Sequence, residues 1–245
     1  MEFVDDAIVL SGRSHGETHA VIDVLTAHHG RWAGLVYGGQ GRKMRPIIQS
    51  GNGIKASWKG RLAESLGHFS VELEIPRAAH YLDDRLSLAA LSSACAVARE
   101  TIPEREAHGG VYQALCVLFD ALDEPEIWPA LMAKWELGLL AALGFGLRLD
   151  KCAATGEQED LVYVSPRSAS AVSRAAGEPY KDRMLGLPAF FREPLAEVSL
   201  AEAISGLETT GYFLETRILH TANKALPEAR TTLLDLLRGR LTKEA

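Results

Sequence analysis

The chain has 245 residues, of which 47% are hydrophobic, and a formal net charge of −6. It is long enough for one large domain or two ordinary ones, and its acidic balance argues against a generally basic nucleic-acid binder. The start, MEFVDDAIVL, has no basic segment before its apolar residues, and no apolar run approaches the ~18 residues of a membrane span. The 3 cysteines, Cys95, Cys116 and Cys152, give no disulfide framework. We expect a globular protein of the cytoplasm.

Short β-like segments, separated by glycine-containing turns, occupy the chain up to about residue 80. They read AIVLSGRSHG, THAVIDVLTAHHG, RWAGLVYGG, GIKASWKGRL and FSVELEI. Five short strands with turn signals at this spacing predict a small barrel or sandwich.

From Asp83 onward the pattern changes to alanine and leucine at helical spacing. The clearest segments are RLSLAALSSACAVARETI, VYQALCVLFDALD, PALMAKWELGLLAALGFG and LAEAISGLETTGYFLETRILHTANKAL. These segments predict the helices of a bundle. We therefore expect an α+β protein with a β domain over residues 1–80 and an α-helical domain over residues 81–245.

The charge is distributed unevenly along the chain. From Val24 to Ala63 there is no aspartate or glutamate, so this segment carries +7 and the rest of the chain sums to −6 − 7 = −13. A local positive field attracts phosphates even on an acidic protein. The seven cations of the segment are Arg31, Arg42, Lys43, Arg45, Lys55, Lys59 and Arg61.

Strand parity makes this cationic segment more specific. In GIKASWKGRL, a regular strand points Lys55, Ser57, Lys59 and Arg61 to one side, and Ile54, Ala56, Trp58 and Leu62 to the other. The alternative for any single lysine is an ordinary solvated position on an outer sheet face. Trp58 is predicted to lie in the core, whereas Trp32 and Tyr37 are candidates for stacking on bases.

The stretch VYGGQGRKMR places three glycines and three cations directly after a predicted strand. It does not match a P-loop, because the glycine spacing is wrong, Lys43 is followed by Met44, and Pro46 interrupts a following helix. It also lacks the third glycine of a dinucleotide fingerprint. We interpret it as a mobile basic loop that contacts a nucleic-acid backbone without reading bases.

Two motifs suggest catalysis or metal binding, but their positions in the chain do not suit either function. The segment Gly12–Gly16 matches G-x-S-x-G, but only 13 residues precede Ser14, too few for the strands and oxyanion loop of a hydrolase. A tight turn between the first two strands is the simpler interpretation. The histidines at 15, 19, 28 and 29 lie on predicted strands and turns with no cysteine nearby, which favours surface or DNA-facing positions over a metal site.

No nucleophile, base and orienting group can be assembled from residue spacing. The pattern therefore favours a binding protein over an enzyme. A hydrolase acting through Ser14 stays open as a minor alternative, which a serine-directed activity probe tests.

Taken together, these segments resemble the bacterial recombination mediator family RecO. The resemblance rests on AIVLSGRSHGETHAVIDVLTAHHGRWAGLVYGGQG, on SWKGRL, and above all on KWELGLLAALGFGLRLDKCAATG leading to LVYVSPRSASAVSRAAGE. It runs across essentially the whole chain, and the order of the segments is more specific than any one of them. It implies an N-terminal OB-fold followed by an α-helical domain.

The resemblance also implies a function and partners. Such a protein binds single- and double-stranded DNA, anneals complementary strands without ATP and, with RecR, promotes RecA loading on DNA coated by single-strand-binding protein, as part of the RecFOR pathway. It acts in the bacterial cytoplasm, at the nucleoid when on DNA, without a membrane partner. The expected DNA contacts are Arg13, Arg31, Arg42, Lys43, Arg45, Lys55, Lys59 and Arg61. The alternative is an OB-fold RNA-binding or ribosome-associated protein using the same cations.

Some members of the family carry a C-x-x-C…C-x-x-C zinc site after the long helix. The matching positions here are Cys152, Thr155, Ser173 and Ala176. One thiolate does not make a tetrahedral structural site, so we expect the region around residues 150–180 to be free of zinc and the protein to have no metal or other cofactor.

The resemblance further implies that the acidic tail of single-strand-binding protein docks on the helical domain. Such a tail requires an apolar pocket rimmed by cations. The alternative is that this region is a solvated loop of mixed charge. The candidate cations for binding the tail are Arg148, Lys151, Arg167, Arg174, Lys181 and Arg183.

Overall fold

The computed structural model describes residues 1–62, 65–193 and 196–244. Five strands come first, at the positions that glycine spacing predicts: β1 (Glu2–His15), β2 (His19–Thr26), β3 (Gly30–Val36), β4 (Gly53–Lys59) and β5 (His68–Ile75). They close into a barrel in the order β1-β2-β3-β5-β4, with β1 also paired to β4. The prediction of an α+β protein with an N-terminal OB-type barrel is confirmed. The β1–β2 turn covers residues 16–18, so Ser14 lies within β1 and not in the turn predicted for it.

The barrel interior follows from strand parity. Alternate residues of each strand are buried together, and β4 contributes Ile54, Ala56 and Trp58 to this core, all at 0% exposure. The predicted parity is therefore confirmed within the strand. It is wrong for Leu62, which is 61% exposed, because regular pairing of β4 ends at Lys59.

The indole of Trp58 occupies the middle of the barrel and requires glycine around it. A Cβ atom on Gly67, which has a φ of +58°, would lie 2.4 Å from the Trp58 ring. Gly34 is equally restricted, since a Cβ there would lie 2.5 Å from the ring of Phe69. The indole Nε1 donates to the carbonyl oxygen of Leu66 at 3.2 Å, which satisfies its only polar atom.

Helices follow the barrel: α1 (Arg77–His80), α2 (Arg85–Thr101) and α3 (Gly109–Asp120). The Asp84 carboxylate caps α2 by accepting from the backbone N–H groups of Leu86 and Ser87, and the hydrogen bond from the Ser87 hydroxyl lowers the pKa of Asp84. The apolar face of α2 packs on β1, where the Cys95 thiol lies 3.6 Å from the carbonyl oxygen of Val9. Barrel and helices form one compact unit of Met1–Asp120 with Pro227–Arg230. The domain division at residue 80 stays a prediction.

The second compact unit comprises Ala121–Leu226 and the residues from Thr231 onward. Its helices are α4 (Trp128–Ala142) and α6 (Leu200–Phe213), which continues as a π-helical turn (Leu214–Leu219). Between them lie β6 (Leu161–Ser165), β7 (Ser170–Ser173), the short α5 (Arg174–Gly177) and β8 (Leu185–Gly186), whose strands form a small sheet in the order β7-β6-β8.

The small sheet and the last helix, α7 (Glu228–Glu244), were not predicted from the sequence. The strands of the sheet are only two to five residues long, and in α7 Arg230 and Arg240 interrupt the helix face that carries the buried Leu233 and Leu237. No described helix combines the length and apolar composition that crossing a bilayer requires.

Candidate nucleic-acid interface

The register of β1 against β4 sets the electrostatics of the cationic segment. Asp6 lies opposite Lys55 and Glu2 lies opposite Lys59. The Lys55 ammonium is 2.6 Å from the Asp6 carboxylate, and the hydrogen bond between them raises the pKa of Lys55. The Lys59 ammonium is 3.5 Å from the carboxylate of Glu2. The segment lacks acidic residues in sequence, but its lysines on β4 have acidic neighbours in space.

The guanidinium group of Arg31 is bound by other residues of the first unit. Its Nε donates to the carbonyl oxygen of Ile102 at 2.8 Å, and one terminal nitrogen lies 2.9 Å from the carboxylate of Asp23. The other terminal nitrogen is 3.5 Å from Glu104, and the side chain is only 14% exposed. The structure does not support Arg31 as a DNA contact, because binding a phosphate would break these bonds.

The remaining predicted contacts lie on connections rather than on the sheet. Arg42, Lys43 and Arg45 are exposed on the β3–β4 loop, Arg61 follows β4, and Arg13 is exposed near the end of β1. Within the described residues, none of these five side chains has an ion pair or a hydrogen bond. Among the predicted DNA contacts, a phosphate reaches these five without displacing a carboxylate of any described residue.

The β3–β4 loop (residues 37–52) is anchored at both ends, in contrast to the mobile loop that we expected. Its Gln40 N–H donates to the carbonyl oxygen of Thr18 at 3.1 Å, and Met44 and Ile47 pack against the barrel core. The Asn52 amide donates to the carbonyl oxygens of Pro46 and Ile47. A basic loop that is already folded loses less conformational entropy when it binds a phosphate backbone.

A cleft separates this loop from the β1–β2 hairpin. Its volume is about 150 Å³, and its lining includes two arginines, Arg13 and Arg45. Hydroxyl and amide groups complete the polar lining, from Ser14, Gln40, Gln49 and Ser50, and none of the described lining residues is a carboxylate. Guanidinium, hydroxyl and amide donors without a competing anion are the groups that bind phosphate oxygens.

The aromatic candidates divide sharply by burial. Trp58 is in the core, as predicted, but Trp32 is also buried, at 4% exposure, and its Nε1 donates to the carbonyl oxygen of His29 at 2.7 Å. The prediction that Trp32 could stack on bases is wrong, because the barrel encloses it. Tyr37, at 61% exposure, remains available.

The structure joins three titratable residues that the sequence did not link. The buried carboxylate of Asp5 accepts from Nδ1 of His28 at 2.9 Å, from Nδ1 of His29 at 2.7 Å and from the His28 N–H at 2.8 Å. Burial raises the pKa of Asp5, but these hydrogen bonds lower it more, to about 2. The cluster ties β1 to the β2–β3 turn. Within the described residues, no group of histidine, cysteine and carboxylate side chains has the arrangement of a metal site.

In the second unit, three arginines converge on the β6–β7 turn. Arg148 donates to the Ser170 hydroxyl at 3.1 Å, and Arg217, in the π-helical turn, donates to the carbonyl oxygen of Arg167 at 2.8 Å. Arg217 was missed from the sequence, since more than 40 residues separate it from the other two. We call Arg148, Arg167 and Arg217 the turn arginines.

The other predicted cations of the second unit differ in their pairing. Arg174 pairs with Asp160 at 3.2 Å, and Lys181 pairs with Glu178 at 2.9 Å. Lys151 and Arg183 are exposed, without an ion pair to any described residue. A cleft of about 410 Å³ near β8 is lined by three carboxylates and one guanidinium, a charge balance that does not suit an acidic peptide.

The positions of the family's zinc site hold a hydrogen-bonded thiol. The Cys152 sulfur accepts from the Ser173 N–H at 3.3 Å and from the Ser173 hydroxyl at 3.5 Å. Burial raises the pKa of Cys152, but hydrogen bonds from Ser173 and Thr155 lower it more, to about 6. One sulfur, two hydroxyls and the methyl group of Ala176 do not fit a tetrahedral zinc site. The absence of zinc stays a prediction, which elemental analysis of the purified protein tests.

Comparison with known families agrees with this geometry. A family model described as "Recombination protein O N terminal" matches residues 1–74, and one described as "Recombination protein O C terminal" matches residues 82–227. The chain belongs to the RecO family. It is 49% identical over 243 residues to the DNA repair protein RecO of Phenylobacterium zucineum (strain HLK1), which covers 98% of this chain and 100% of that protein.

Two further RecO proteins show the same full-length likeness. The DNA repair protein RecO of Rhodospirillum centenum (strain ATCC 51521 / SW) is 49% identical over 240 residues, covering 97% of this chain and 95% of its own length. The DNA repair protein RecO of Hyphomonas neptunium (strain ATCC 15444) is 47% identical over 236 residues, covering 96% of this chain and 97% of its own length. The RecO likeness therefore extends over both compact units.

Proposed function

We propose that this RecO-family chain is a DNA repair and recombination protein that binds DNA and anneals complementary strands without ATP. The observation that carries the proposal is a group of five cations with no carboxylate partner among the described residues, two of which line a polar cleft: Arg13, Arg42, Lys43, Arg45 and Arg61. The relatives named DNA repair protein RecO support the same role. No step in this function requires a catalytic residue.

Annealing is limited by repulsion between two phosphate backbones. A cationic surface that engages both backbones lowers this repulsion through counterion release, and contacts to phosphate alone leave the bases free to pair. The anchored β3–β4 loop presents Arg42, Lys43 and Arg45 to solvent, while its apolar residues Met44 and Ile47 hold it on the barrel. The same protein therefore binds single and double strands, with an affinity that falls as salt rises.

The test is annealing of two labelled complementary oligonucleotides across a salt series without ATP. We expect wild-type protein to accelerate annealing most at low salt, and the triple variant Arg42→Glu, Lys43→Glu and Arg45→Glu to abolish the acceleration. The control is Arg85→Glu, Lys151→Glu and Arg183→Glu, which makes the same charge change at exposed positions outside the loop. Equal loss in both variants would assign the effect to overall charge, and no acceleration by wild type would reject annealing.

We propose that this chain also acts with RecR and with single-strand-binding protein to promote RecA loading, in the cytoplasm and at the nucleoid. For the acidic tail of single-strand-binding protein, the turn arginines offer guanidinium groups from Arg148 and Arg217 whose partners are hydroxyl and carbonyl oxygens. Because these partners are neutral, no described carboxylate pairs with Arg148 or Arg217, whereas Arg174 and Lys181 each have one.

Tail-peptide binding tests this placement. Arg148→Glu with Arg217→Glu should weaken binding of a fluorescent tail peptide, whereas Arg174→Glu with Lys181→Glu, at cations already paired, should weaken it less. The reverse ranking would move the tail site to α5 and the segment that follows it. Thermal unfolding of both variants checks that the β6–β7 turn remains folded.

A further inference from the structure

Tyr37 is an exposed aromatic ring held between two histidines from different strands. It follows the last residue of β3, and its ring centroid lies 5.3 Å from that of His19, which begins β2, and 5.6 Å from that of His68, which begins β5. The His19 ring is perpendicular to the tyrosine ring. Despite these contacts, 61% of the Tyr37 surface is accessible. The ring is therefore positioned by two neighbours without being covered by them.

The backbone next to Tyr37 is also fixed. The Gly38 N–H donates to Nδ1 of His19 at 3.2 Å, which ties the start of the β3–β4 loop to β2. Gly39 packs against β2, where a Cβ atom would lie 2.5 Å from the Cβ of Ala20. The ring thus starts from a restricted set of orientations, which reduces the entropy lost when a flat ligand packs on it.

The surroundings of Tyr37 suit a nucleic-acid strand. Arg42, Lys43 and Arg45 follow it on the same loop, and Arg61 follows β4 two residues after the strand position that pairs with His68. Sites for single strands combine cations that track the backbone with aromatic rings on which bases stack, because every base has a π-face. Paired bases within a duplex do not expose that face.

We propose that Tyr37, braced by His19 and His68, stacks on an unpaired DNA base and thereby makes this surface bind single strands more tightly than duplex. The inference rests on the proposed DNA-binding function and adds a discriminating contact to it. Phosphate contacts are available to both single strands and duplex, whereas the stacking contact exists only before the base pairs. Pairing therefore removes one contact and favours release of the annealed duplex.

The test compares Tyr37→Ala and Tyr37→Phe with wild type in binding a labelled single strand, the matching duplex and an abasic strand of equal charge. Loss of one stacked base should weaken single-strand binding by Tyr37→Ala about 5- to 150-fold. Tyr37→Phe keeps the ring and should bind as wild type does. Duplex and abasic-strand binding, and the slope of affinity against salt, should not change in either variant.

Photocrosslinking of a strand that contains 5-iododeoxyuridine provides a positional readout, with the crosslink expected at Tyr37. Unchanged single-strand affinity in Tyr37→Ala, or crosslinks only at other residues, would overturn the stacking proposal while leaving phosphate binding intact. Equal loss for all three DNA forms would also overturn it, because Tyr37 would then be needed to hold the loop. Absence of salt-dependent DNA binding by wild type would instead reject the proposed function itself.

Discussion

Ion pairing on the barrel predicts how steeply DNA binding depends on salt. Eight cations were expected to contact DNA from the sequence, but Lys55 and Lys59 pair with acids of β1, and Arg31 is held by Asp23 and Ile102. Five of the eight have no ion pair to any described residue. At about 0.7 per phosphate contact, they give a slope of log affinity against log salt of about −3.5 for single strands, against about −5.6 for all eight. Neutralising Arg42, Lys43 and Arg45 to glutamine leaves two contacts, and a slope of about −1.4.

Fluorescence anisotropy of a labelled single strand, titrated at several salt concentrations, measures this slope directly. The matched control is Lys55→Gln with Lys59→Gln, which removes charge from the same barrel but from positions that already have carboxylate partners. We expect the control to keep the wild-type slope. Two results would refute the conclusion that ion pairing keeps Lys55 and Lys59 from contacting DNA. One is a wild-type slope near −5.6, and the other is an equal change in slope per neutralised residue in the control and in the loop variant.

Three further predictions concern stability and ionisation. Asp5→Asn should lower the free energy of unfolding at pH 7 by about 2 kcal/mol, since the pKa of Asp5 lies nearly 2 units below its ordinary value. Because the folded pKa is lowered, this contribution is present above the ordinary pKa and is lost as the pH falls from about 4 through about 2. Urea unfolding should therefore give converging stabilities for the wild type and the variant over that pH range. The ultraviolet absorbance of a thiolate should titrate near pH 6, and this signal should vanish in Cys152→Ser. It should persist in Cys95→Ala, because burial raises the pKa of Cys95 to about 12. A signal that survives Cys152→Ser would contradict its assignment to Cys152. Trp58→Ala should destabilise the protein by about 3–5 kcal/mol, whereas Tyr37→Ala, at an exposed ring, should change stability by less than about 1 kcal/mol; similar melting temperatures for the two variants would show that the barrel core is misassigned.

Much of the fold was predictable because its signals are local. Glycine-bounded segments with strand periodicity marked all five barrel strands, and alternation within β4 identified Ile54, Ala56 and Trp58 as core. Helical spacing of alanine and leucine marked α2, α3, α4 and α6. The sheet of β6, β7 and β8 escaped prediction because such short strands gain their stability from their neighbours rather than from their own sequence.

The sequence by itself determined where positive charge is concentrated, since a segment without acidic residues is visible without a structure. Which of those charges are available was decided only by tertiary structure, because strand register brought Asp6 and Glu2 across from β1, and the end of α2 brought the carbonyl of Ile102 to Arg31. Tertiary structure also decided which aromatic residues are exposed. Trp32 lies within β3 and is buried in the barrel, whereas Tyr37 directly follows β3 and is exposed. Pairing and burial depend on contacts between residues far apart in the chain, and single-sequence patterns do not contain those contacts.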